Sequence, residues 1–99
     1  MSDKLIFTKD QLPTLEEMSK SKDIKDREML LDMFENREPG NVMSEWIVSK
    51  ILLEMVRAKP QPRGNSIRLE FLKNNDLIKL IKINIQFEKE FHEKFKMRV

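Results

Sequence analysis

Between Val42 and Arg57 the chain reads VMSEWIVSKILLEMVR, and wound as an α-helix this segment is apolar on nearly every side. A helix wetted on one face shows a single apolar stripe. Here Met43, Trp46, Ile47, Val48, Ile51, Leu52, Leu53, Met55 and Val56 cover most of the circumference. The pattern predicts a central helix that needs neighbours on several sides. Trp46, the only tryptophan, is expected inside that enclosure, and any activity on what remains outside it.

The other elements follow from punctuation around this helix. Upstream, Ile24, Arg27, Leu30, Leu31 and Phe34 fall on one stripe with Met33 at its border, which predicts a helix from about Asp23 to Asn36. Asp23 or Asp26 is placed to cap it, and Pro39 and Gly40 stop it. Asn41 or Ser44 is placed to cap the central helix, and the short link makes the two helices neighbours. Downstream, PQPRGNS is the clearest break in the chain. The segment from Ile67 to Lys73 reads as a short helix, although Ile67, Leu69 and Phe71 also alternate as a strand would. A long final helix is expected from Asn75 or Asp76 to Met97. Leu80, Ile83, Phe87, Phe91 and Phe95 step along it by three or four, and Leu77, Ile81 and Ile85 widen the stripe near its start. Its end is expected to project or to cross the full width of the domain.

The fold class expected is therefore all-α: a small compact helical domain of three main helices plus one short helix, over residues 23–99. Residues 1–22 are expected to form a flexible N-terminal arm, mobile unless Phe7 and Leu12 dock. Within the arm, Thr14 and Glu17 have capping-box spacing for a short helix after Pro13, and Ser19 to Asp26 reads as a linker.

Composition narrows the function classes. At 99 residues the chain suits one domain, and its 36% charged share suits helices with solvated outer faces around a modest core. Without cysteine there is no disulfide framework, thiolate nucleophile or cysteine zinc site, which fits a reducing compartment. No apolar run approaches the length of a membrane span, and the first residues lack a secretory h-region. The protein is thus expected in the cytoplasm, without a membrane partner. Abundant Lys, Ile, Asn and Glu resemble products of AT-rich genomes, short phage and bacterial proteins among them, in which case the compartment is the host cytoplasm.

Catalytic chemistry finds little to work with. There is one histidine, His92, and no nucleophile–base motif or glycine-rich phosphate loop accompanies the Ser, Thr, Asp and Glu residues. His92 with Glu88 one turn earlier offers two ligands, fewer than a stable metal site needs. No enzyme activity, cofactor, metal or small-molecule substrate is expected.

Two surfaces remain. The leading expectation is a non-enzymatic regulator or adaptor that binds another protein, or a second copy of itself, through Phe87, Phe91, Phe95 and Met97. The alternative is a nucleic-acid-binding protein of transcription-regulator type. It would use the basic loop, with Arg57, Lys59, Arg63, Arg68 and Lys73 as phosphate contacts. Charge favours neither: residues 1–45 carry eleven acids and seven bases, residues 46–99 twelve bases and six acids, and the two halves could simply attract each other. A helix–turn–helix across the Pro-Gly turn is disfavoured, because the polar positions of its second helix are mixed in sign. A homo-oligomeric structural protein built on the Phe stripe is the third reading.

Overall fold

The chain folds as an all-α domain, and its computed structural model describes residues 4–58 and 72–96, with side chains to Glu93. Its helices are α1 (Leu12–Lys20), α2 (Ile24–Glu35), α3 (Val42–Arg57) and α4 (Asn74–Lys96), and a single 3-10 turn, Lys9–Gln11, precedes α1. Of the segment expected as a short helix, Ile67 to Phe71 lie outside the described residues, whereas Leu72 and Lys73 lead directly into α4.

Each start has a local cause. The Asp23 carboxylate accepts the Lys25 amide at 3.0 Å and caps α2, and the Asn41 side chain accepts the Ser44 amide at 2.9 Å and caps α3. Between α2 and α3, Gly40 takes φ +94, a left-handed conformation that suits glycine at a helix-ending turn. The link between α1 and α2 is only Ser21 to Asp23, shorter than the linker read from sequence. It is closed by polar contacts: the Ser21 hydroxyl donates to Asp26 at 2.7 Å and accepts the Asp23 amide at 3.1 Å.

α1 packs on α2 and α3, and α4 packs on α2 and α3 from the other side. The core between them is made by Leu15 of α1, Leu30, Leu31 and Phe34 of α2, Ile47, Val48, Ile51 and Leu52 of α3, and Leu77, Ile78, Ile81 and Ile85 of α4. α4 runs antiparallel to α2, as its ion pairs Lys82–Glu35 and Lys89–Glu28 require. Arg37 joins three helices at one end, pairing with Glu45, donating to the Phe34 carbonyl at 2.9 Å and reaching Asn75 at 3.2 Å.

The N-terminal arm meets the docking condition set for it. Leu5 exchanges backbone hydrogen bonds with the α2–α3 turn, donating to the Asn36 carbonyl at 2.9 Å and accepting the Glu38 amide at 2.8 Å. This short bridge to Arg37 is the only extended pairing among the described residues. Phe7 then inserts to 2% exposure and meets Phe34 edge-on, with ring centroids 5.1 Å apart. Its backbone amide donates to the buried Ser44 hydroxyl at 3.0 Å. Leu12 packs partly buried against the same core. Residues 5–20 are therefore built into the domain and do not lie apart from it.

The central helix departs from expectation on one side. α3 buries Ile47, Val48, Ile51, Leu52, Met55 and Val56, but Trp46 is 52% exposed, and Val42 and Met43 are exposed beside it. α1 and α4 cover the inner faces of α3 and leave an outer face open. Trp46, Lys50, Leu53 and Arg57 fall on that face at steps of four, three and four. The enclosure expected for the tryptophan is thus overturned: the core takes its apolar volume from aliphatic residues and phenylalanine.

Candidate functional site

α4 carries two apolar stripes, and the fold covers only one. Leu77, Ile78, Ile81 and Ile85 face α2 and α3 and are buried. About a third of a turn away, Ile83, Phe87 and Phe91 stand open at 54%, 65% and 59% exposure, with Leu80 half-buried at the head of the line. The stripe read from sequence merged these two sets. A helix with an apolar arc wider than its neighbours can cover leaves the surplus to solvent or to a partner.

Beyond Ile85 no apolar side chain of α4 is buried among the described residues. That half of the helix is held to α2 by charge. Arg27, almost fully buried, clasps Glu88 with both terminal nitrogens, at 2.8 and 3.2 Å, and Lys89 meets Glu28 at 2.7 Å. These pairs orient the helix and turn Phe87 and Phe91 away from α2. Phe91 lies edge-on beside His92, centroids 6.5 Å apart.

The expected site residues are thus distributed unevenly. Phe87 and Phe91 share one exposed line on α4. The Phe95 side chain and Met97 lie outside the described residues. Of the basic set, Arg57 at the end of α3 and Lys73 before α4 are exposed, while Lys59, Arg63 and Arg68 lie outside the described residues. The outer face of α3 is mixed in charge, as its sequence implied: Lys50 pairs with Glu54 at 3.3 Å one turn away.

A cleft of about 480 Å³ lies where the α1–α2 link meets the ends of α3 and α4. Lys20, Lys22, Arg27, Glu54, Glu88 and His92 line it. Two of its charges, Arg27 and Glu88, are paired with each other in the clasp. Among the described residues no group of three or more His, Cys, Asp or Glu could hold a metal ion, and no helix is long and apolar enough to cross a membrane.

The outward Trp46 was missed by sequence reasoning although a sign of it was present. Lys50, Glu54 and Arg57 stand at i, i+4 and i+7 and mark the wet side of α3, and Trp46 is one turn before Lys50 on that side. Counting apolar residues around the circumference hid this line, because Leu53 interrupts it.

Compared with protein-family models, curated proteins and solved structures, the chain matches none.

Proposed function

We propose that this protein is a non-enzymatic interaction module, a small regulator or adaptor whose contact surface is the outer stripe of α4. The observation that carries this reading is the open line of Ile83, Phe87 and Phe91 on a helix whose other face is already buried. Aromatic side chains offer large contact area with few rotatable bonds, which makes them strong anchors once a partner excludes water. A core-packing role does not account for them, since Leu77, Ile78, Ile81 and Ile85 supply the core contacts of the same helix. The ion pairs of Arg27 and Lys89 hold the stripe on a rigid support, which lowers the ordering cost of binding.

The test is affinity capture from native cells with the full chain and with a Phe87→Glu/Phe91→Glu variant, each with and without nuclease. A protein retained after nuclease by the wild type and lost by the variant supports the reading. Equal retention by both overturns it, and so does retention that disappears with nuclease, which would favour nucleic-acid binding through the Arg57–Lys73 region.

A further inference from the structure

We infer that the partner of the α4 stripe is a second copy of this chain, with the two α4 helices packed antiparallel about a two-fold axis near the level of Ile85. This rests on the proposed role of the stripe and deepens it. The argument comes from the order of residues along the exposed line. Lys79 and Glu90 are both exposed, and neither makes an ion pair among the described residues. Their eleven-residue separation is close to three helical turns, so they sit on the same edge of the stripe about 17 Å apart. At that distance they do not pair with each other.

An antiparallel copy brings them together. With the two-fold axis between Ile83 and Phe87, Lys79 of one copy lies beside Glu90 of the other, and the symmetry makes the contact twice. The same register sets Ile83 against Phe87, and Leu80 near Phe91, of the opposite copy. Each ring then meets a smaller aliphatic side chain, which is how two helix faces interdigitate. A two-fold parallel pairing does not: it turns the edge bearing Lys79 and Glu90 toward the opposite edge of the other copy's stripe, so the two charges never meet, and it sets ring against ring along the centre. The stripe's edge therefore carries its own complement, but only in one direction.

The charge pattern also argues against a strongly acidic or basic partner, since this edge presents one cation and one anion and selects for neither sign. The apolar line from Leu80 to Phe91 is about 17 Å long, on a helix about 10 Å across, which is small for a stable interface. The pair should accordingly be weak and concentration-dependent.

Sedimentation equilibrium of the full chain from low to high micromolar concentration tests this. The wild type should rise from its monomer mass of 11.9 kDa toward twice that value. Lys79→Glu or Glu90→Lys alone should weaken association by about tenfold, because each creates two like-charge contacts. The combined Lys79→Glu/Glu90→Lys variant should restore it, and Phe87→Glu should abolish it. All three positions are exposed, and circular dichroism checks that each of the four variants is folded. A wild type that stays monomeric overturns the self-pairing; if it still captures a protein that the Phe87→Glu/Phe91→Glu variant loses, the interaction reading stands. Dimers that ignore the single charge reversals, or are not rescued by the double one, overturn the antiparallel register.

Discussion

The two ends of this chain use phenylalanine in opposite ways. At the N-terminus, Phe7 is 2% exposed and locked edge-on to Phe34; near the C-terminus, Phe87 and Phe91 stand open on α4. Both occur beside aliphatic residues, in LIF and in INIQF, so side-chain type does not separate them. The backbone around them does. Leu5 and Phe7 find partners for their main-chain groups at the α2–α3 turn and at Ser44, so the extended arm can enter the core without stranding polar atoms. α4 satisfies its own backbone, so nothing draws its second stripe inward once the first is covered. A segment that needs hydrogen-bond partners is pulled onto the domain, and a self-sufficient helix is free to present a face.

The sharpest way to break this comparison is to remove the buried ring. Phe7→Ala should cost about 3–5 kcal/mol, the range for emptying a filled aromatic site. For a domain of this size that is a large part of the total of about 5–15 kcal/mol. Urea unfolding followed by far-ultraviolet circular dichroism reads it directly. A loss under about 1 kcal/mol would mean that the arm is not part of the core.

Next in size is the clasp that holds the exposed half of α4. Arg27→Ala leaves Glu88 without its bidentate partner. Because Glu88 keeps some contact with solvent, the expected loss is about 1–3 kcal/mol and not the larger cost of a fully buried orphan. Hydrogen exchange should localise the effect, with amides after Glu88 losing protection before those of Leu77 to Ile85. Uniform loss along α4 would show that the helix opens as one unit and that its two halves are not held differently.

Ser44→Ala sharpens the other side of the comparison. It strands the Phe7 amide, whose acceptor is the fully buried Ser44 hydroxyl, and should cost about 1–2 kcal/mol. Phe7→Ala and Ser44→Ala touch the same contact, so their combination should cost less than the sum. Full additivity would separate the ring's burial from the backbone anchor.

Much of this architecture was legible in the chain. The α2 stripe from Ile24 to Phe34, the caps at Asp23 and Asn41, the break at Gly40 and the long last helix all follow from spacing and turn chemistry. What was not legible has a common cause: periodicity reports which residues share a face, not which face finds a neighbour. The arm read as loose because its anchor is a tertiary backbone contact to Ser44, 37 residues away. α3 read as enclosed because apolar residues surround it, and the open side showed only through the line Trp46, Lys50 and Arg57. On α4 the two stripes overlap in sequence. Only the placement of α2 and α3 tells Ile81 and Ile85 from Ile83 and Phe87.

The smallest expected effect is the most discriminating. Phe87→Ala removes a side chain that is 65% exposed, and at low protein concentration it should change unfolding stability by no more than about 0.5 kcal/mol. A loss above about 2 kcal/mol would mean that the ring packs within its own chain, and the contrast with Phe7 would collapse. Concentration supplies the second half of the test. Association that occurs only through the folded state stabilises that state by mass action, so the wild-type unfolding midpoint should climb as protein is added. Phe87→Ala should flatten that climb while leaving the dilute-limit midpoint where it was. A variant that is neutral when dilute and deficient when concentrated places the work of this residue outside the monomer. Phe7→Ala, in contrast, should lower the midpoint by the same amount at every concentration.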